Sequence, residues 1–320
     1  MRVPVRLGLQ IPSFELGVAP DVLFAKLVEI AEAAEASGWD SLFVMDHLHQ
    51  IPGVGPPEHR MLEGNTALAA LAARTERVQL GLMVGSVTYR NPALHAKITT
   101  TLDVVSGGRA IHSLGAGWYE EEHQAYGYEF PPLKERFERL EDALRISRAM
   151  FTQESATVEG RHHRVEDLLN NPRPLRGDIP ILVGGSGERK TLRLVAQYAD
   201  GCNVFGDPER ARHLMGVLDA HCEDVGRDPA EITRTRLGTL SIAVTHEQAE
   251  QQLAAWPDRL KIDPERLKNV LTVGDPDEVG ERIQALVAAG IEGFVFNMPN
   301  PQDPGAVALA GETVSRALDA

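Results

Sequence analysis

Short apolar runs alternate with longer stretches of helical periodicity along the chain. Runs at 6–11, 41–45, 78–84, 110–114, 181–183, 202–205, 236–244 and 293–297 predict strands. Between them apolar residues recur three and four apart, as at Leu23, Leu27, Ile30, Ala31 and Ala34. That spacing predicts helices over 22–37, 66–74, 93–106, 137–151, 189–198, 209–225, 279–289 and 307–318. Gly38 and the Gly107-Gly108 pair stop two of them. Eight strands, each followed by a helix, require a parallel sheet. In 320 residues they fit a closed (β/α)8 TIM barrel, a single domain over 1–320. An open doubly wound sheet is the alternative. It is weakened because no G-x-G-x-x-G follows the first strand. Four extra segments interrupt the alternation, at 49–65, 118–136, 152–178 and 246–277. The first three are expected to roof one end of the barrel, and the last has a helical pattern around 247–255.

Composition narrows the function. With 43% hydrophobic and 24% charged residues the chain is globular, and its net charge of −14 argues against binding nucleic acid. Two cysteines, Cys202 and Cys222, fit neither a zinc motif nor a disulfide framework, which suits a reducing cytosol. The first 16 residues lack the apolar core of a cleavable leader, and no apolar stretch is long enough to span a membrane.

In a barrel, chemistry collects at the C-terminal strand ends. Small residues crowd three of them: Gly85, Ser86, Val87 and Thr88; Gly115 and Gly117; Gly184, Gly185, Ser186 and Gly187. Backbone must approach something flat and large there. The turn 184–187 between a strand and a helix would offer N–H groups to an anion, with Arg189 and Lys190 adding charge; a merely tight loop is the alternative. At the second strand end, His47 and His49 form an H-x-H pair, but later strand ends supply no further metal ligands, so no metal is expected. The remaining reading is a single functional histidine, His47, braced by the carboxylate of Asp46. Glu120 and Glu122, after the fourth strand, are weaker acid–base candidates, since acidic residues there are often merely solvated.

Several segments together carry a resemblance: SLFVMDH at 41–47, GLMVGSVTYRNPALHAK at 81–97, TLDVVSGGR at 101–109, GAGWYEEE at 115–122, the stretch 131–144, and ILVGGSGERKTLRLVAQYADGCN at 181–203. Through them the chain resembles the bacterial-luciferase-like superfamily nearly end to end, in the branch that uses the deazaflavin coenzyme F420. The resemblance implies an oxidoreductase that moves a hydride between the cofactor's C5 carbon and a small-molecule substrate. The alternatives are an FMN-dependent monooxygenase and a flavin-binding protein without turnover. It implies His47 near the ring, Asp46 at the ring's polar edge, residues 85–88 behind it, and phosphate on 184–187. A bulge pressing on the ring implies a non-proline cis peptide between Ser86 and Val87. Sugar-phosphate-oxidising relatives carry a glutamate where Trp118 stands, so their substrate is not carried over. The basic residues Arg161, His162, His163, Arg164, Arg173 and Arg176 are expected beside the phosphate turn, where they would favour the polyanionic tail of F420 over FMN. A homodimer is compatible with all of this.

Overall fold

The computed structural model describes residues 1–255 and 270–320. Its strands are β1 (Leu7–Ile11), β2 (Ser41–Val44), β3 (Gln79–Leu82), β4 (Gly85–Ser86), β5 (Ala110–Gly115), β6 (Ala156–Glu159), β7 (Arg164–Leu168), β8 (Ile181–Gly184), β9 (Gly201–Val204), β10 (Thr233–Ile242), β11 (Leu271–Gly274) and β12 (Gly293–Asn297). Eight of them pair in parallel in the order β1-β2-β3-β5-β8-β9-β10-β12. The ring closes where β1 meets β12, with Leu7 opposite Phe294 and Gln10 opposite Asn297. The open-sheet alternative is thereby excluded, and the (β/α)8 barrel holds.

The strands are apolar runs without alternation because both faces are covered. Every residue of LGLQI in β1 and of GFVFN in β12 is buried. Outside, helix Leu23–Ala36 turns Leu27, Ile30, Ala31 and Ala34 onto the sheet. Inside, Phe43 fills the barrel: a Cβ on Gly8 would lie 2.9 Å from its ring, and one on Gly81 would lie 3.2 Å from it. Val3, Val5, Met83, Ile111, Leu182 and Val295 pack around it. The lower barrel is therefore filled, and the cavity at the strand C-termini lies above this plug.

Segments 49–65 and 118–136 do reach the C-terminal mouth, where Ile51, Val54, Trp118 and Leu133 border a cavity. Segment 152–178 does not roof it. It contains the hairpin β6–β7, which runs along the outer flank of helix Leu133–Thr152, its turn pinned by Asp142 accepting from the N–H groups of Arg161, His162 and His163. Two other additions escape the apolar pattern: β4, which pairs with β5, and β11, which pairs with β10. Helix His246–Ala254 matches the pattern at 247–255; the part of the last extra segment at 256–269 lies outside the described residues.

Candidate functional site

The cavity at the strand C-termini has a volume of about 700 Å³. His47 follows β2 and lines it. Its partner comes from the short helix Glu120–Tyr126, after β5. One turn of that helix buries Glu122 completely and leaves Glu120 and Glu121 in solvent. Glu122 Oε2 lies 2.8 Å from His47 Nδ1 and accepts the Tyr89 hydroxyl, while Oε1 accepts from the N–H of Leu48 and, at 3.1 Å, of His49. Burial opposes charge on Glu122, but His47, Tyr89 and the Leu48 N–H outweigh it and hold its pKa at about 2. An ionised carboxylate can only accept, so Nδ1 of His47 carries a proton, and in the neutral ring Nε2 is the acceptor.

This corrects the expected pairing. Neighbouring side chains on extended backbone point apart, so Asp46 cannot reach the imidazole of His47. Asp46 takes two hydrogen bonds from Arg90, both at 2.7 Å, and one from the Ser86 N–H at 2.8 Å. Complete burial pushes its carboxyl above the usual range, and the guanidinium of Arg90 offsets only part of that. Arg90, raised above its ordinary value once Asp46 and Glu63 outweigh its own burial, keeps the pair ionic. Asp46 still borders the cavity. Glu120 is the second correction: it bonds Gln124 at 3.2 Å, on the outer face of its helix, and stays away from His47.

The cavity floor is Val84. A Cβ on Gly115 would meet it at 2.7 Å and one on Gly184 at 2.8 Å, so both glycines are required by its approach. The non-proline cis peptide is the Met83-Val84 bond, not the bond between Ser86 and Val87. Val84, ahead of the expected 85–88 run, lines the cavity. Of residues 85–88 only Ser86 lines the cavity. Gly85 and Val87 are buried behind it, and Thr88 bonds Ser86 Oγ at 2.7 Å and His123 Nε2 at 2.6 Å. Gly117 lines the cavity at φ +75°, where a Cβ would sit 2.8 Å from both hydroxyls.

Gly184, Gly185, Ser186 and Gly187 also line the cavity, ahead of helix Thr191–Tyr198. Gly185 has φ +126°, and its N–H is already given to the Asn203 carbonyl at 2.9 Å. An anion would therefore meet the N–H groups of Ser186 and Gly187. Arg189 is exposed, and Lys190 stands over the Phe137 ring at 5.4 Å. The basic residues of 161–176 do not gather beside the turn. Arg161 and His162 pair with Glu138, Arg173 bonds the Thr152 carbonyl, and Arg176 lies against Gly108, before β5 at the opposite end of the barrel.

Sequence reasoning passed over four contributors. Tyr89 and Arg90 directly follow the 85–88 run. Gln10, next to last in β1, stands opposite Asn297, the last residue of β12, and each keeps a buried side-chain oxygen without a hydrogen-bond partner, Oε1 and Oδ1, at the cavity wall. Their position at strand termini was the available signal. Among the described residues no three His, Cys, Asp or Glu side chains are placed to hold a metal, and no helix is long and apolar enough to cross a membrane.

Residues 15–293 match the model of the luciferase-like monooxygenase family. An F420-dependent glucose-6-phosphate dehydrogenase of Microbacterium testaceum is 30% identical, over 98% of this chain and 97% of its own. The structure of an F420-dependent secondary alcohol dehydrogenase in complex with an F420-acetone adduct superposes with a TM-score of 0.83 at 20% identity, covering 99% of each chain. That of an F420-dependent tetrahydromethanopterin reductase from Methanopyrus kandleri gives 0.81 at 19% identity, over 99% of this chain and 100% of the other. At these identities the two structures establish a shared fold.

Proposed function

The chain belongs to the luciferase-like monooxygenase family, and from that premise we propose that it is an oxidoreductase using coenzyme F420 to exchange a hydride with a small organic molecule. The reading is carried by one observation: the strand ends form a glycine-walled, mostly apolar cavity with a carboxylate-backed histidine at its edge, in a chain whose 30%-identical relatives depend on F420. The cavity fits such a group. Gly115 and Gly184 let Val84 form a floor that a flat ring could lie on, the N–H groups of Ser186 and Gly187 suit a phosphate, and the unpartnered amide oxygens of Gln10 and Asn297 call for donors.

When bound, the deazaflavin supplies a carbon that takes or gives a hydride, a two-electron chemistry the protein lacks. The chain's residues do the rest. We assign His47 as the catalytic base: when a substrate is oxidised, its hydroxyl proton would pass to Nε2 of His47. Glu122 is a positioning residue that fixes the tautomer and stabilises the imidazolium that forms. Asp46 and Ser86 shape one wall of the cofactor site, Gly115 and Gly117 another, and 184–187 takes the phosphate. Gly85, Val87 and Thr88 support that wall from behind. We assign no role to Glu120.

We further propose a cytosolic enzyme, in keeping with two buried free thiols, Cys202 and Cys222, and a homodimer, to be tested by sedimentation. The decisive variant is His47→Ala. Turnover should fall about 10²–10⁴-fold, the usual contribution of a general base. Affinity for F420 should stay within about tenfold. Unimpaired turnover would remove His47 from the chemistry.

A further inference from the structure

His123 follows Glu122 on the same short helix and is equally buried, but it faces a different partner. Its ring sits between Tyr89 and Phe130, with centroids 4.8 Å from each. Nδ1 lies 2.7 Å from the Tyr119 carbonyl oxygen and Nε2 lies 2.6 Å from Thr88 Oγ1. Thr88 Oγ1 in turn lies 2.7 Å from Ser86 Oγ, and Ser86 lines the cavity. A continuous string of hydrogen bonds therefore runs from a backbone carbonyl, through a buried imidazole, to the cavity wall. Gly117 makes room for it, since a Cβ there would sit 2.8 Å from both hydroxyls.

The donor inventory gives the string a direction. A carbonyl only accepts, so Nδ1 of His123 donates to Tyr119, and in the neutral ring Nε2 is an acceptor. The hydrogen it takes is that of the Thr88 hydroxyl. Thr88 has no second hydrogen on that oxygen, so it accepts from Ser86. The Ser86 hydrogen is thereby directed at Thr88, and its oxygen keeps only lone pairs for other partners. One of them meets the Thr88 N–H at 3.4 Å. The Ser86 N–H donates to Asp46 Oδ2 at 2.8 Å, which sets the two residues side by side on the wall.

We infer that His123, acting through Thr88, fixes the Ser86 hydroxyl as an acceptor, so that this part of the wall takes an N–H of the bound ligand. This rests on the F420 reading above: the pyrimidine end of the deazaflavin carries an imide N–H, the kind of donor such an acceptor recognises. His123 and Thr88 are positioning residues. Without them Ser86 is free to turn its own hydrogen toward the ligand and set donor against donor.

The test is fluorescence titration of purified variants with F420, with thermal unfolding followed in parallel. Ser86→Ala removes the acceptor and should weaken binding about fivefold, the scale of one hydrogen bond. His123→Phe suits the space between Tyr89 and Phe130 but lacks Nε2, and it should weaken binding to a similar degree. Thr88→Val should do the same, whereas Thr88→Ser, which keeps the hydroxyl, should stay within about twofold of wild type. In the Ser86→Ala background neither His123→Phe nor Thr88→Val should cost more than about a further twofold, because the group they orient is gone. Losses that multiply in that background overturn the inference, as does wild-type affinity in folded Thr88→Val. If His123→Phe does not unfold cooperatively, the Thr88 variants decide. Failure of the wild-type protein to bind F420 defeats the cofactor reading, whereas F420 binding that is indifferent to these residues defeats only their positioning role.

Discussion

Replacing Glu122 by glutamine keeps the volume of the side chain and removes its charge. All four of its contacts are donors: His47 Nδ1 and the Tyr89 hydroxyl on Oε2, and the Leu48 and His49 N–H groups on Oε1. A glutamine must aim its NH₂ at one of these pairs. With the amide oxygen kept on the two backbone donors, the NH₂ faces His47, which must then accept at Nδ1 and carry its proton on Nε2. The base is lost although the ring stays in place. Turnover should fall about 10²–10³-fold, within the range for a general base. The shift from 4.5 to about 2 on Glu122 corresponds to about 3 kcal/mol. His47 is partly open to solvent, which trims the expected loss of stability to roughly 2 kcal/mol. The carboxylate's folded pKa is depressed, so its contribution is complete above about pH 4.5 and fades as pH falls toward 2. The difference in unfolding free energy between wild type and Glu122→Gln should accordingly be largest near neutrality and narrow below pH 4.5. The assays are steady-state reduction of F420 and denaturant unfolding across pH. Tyr89→Phe, which removes one neutral donor, should cost only about 1 kcal/mol. Asp46→Asn should act on cofactor affinity through Arg90. If Glu122→Gln turns over normally while Asp46→Asn abolishes the acid limb of the pH–rate profile, the tautomer argument is wrong.

Two further outcomes follow from the same geometry. Gly185→Val puts a side chain on a residue at φ +126°, with Thr191 3.4 Å from its Cβ, in the turn assigned to the phosphate; F420 affinity should drop at least about tenfold while the barrel still unfolds cooperatively, and unchanged affinity in a folded variant would remove the phosphate from this turn. His95, buried and near the charge of Arg90, has its pKa lowered from 6.5 to about 3, so the unfolded chain takes up a proton that the folded one refuses between those values. Stability should be intact above about pH 6.5 and decline by about 2 kcal/mol at about pH 5 from this group alone, and His95→Gln should remove that share; an identical acid profile in the variant would contradict it.

The barrel was legible because strands buried on both faces leave continuous apolar runs, and because helices facing them must repeat every three to four residues. The hairpin β6–β7 was not, since its one buried edge, Ala156 and Val158, alternates with exposed residues inside a polar stretch. At the site, position along the chain sufficed to select Asp46, His47 and the glycines, as each lies at a strand terminus. Partnership did not follow from adjacency. Asp46 and His47 are consecutive yet diverge, whereas His47 and Glu122 meet across 75 residues, and only the phase of a seven-residue helix decides that Glu122 rather than Glu120 turns inward. The basic residues of 161–176 show the same limit: their charge is visible in sequence, but Glu138 and the Thr152 carbonyl, which absorb Arg161, His162 and Arg173, are chosen by packing.

The cofactor is the centre of the account, because the catalytic assignment and the role of Ser86 both depend on it. F420 and FMN each offer a tricycle and a phosphate, so Val84, the flanking glycines and the turn 184–187 would receive either. The direct test is to titrate the purified protein with each under identical conditions and compare dissociation constants. The account predicts that F420 binds at least about tenfold more tightly, a difference of about 1.4 kcal/mol. Tighter binding of FMN would contradict it.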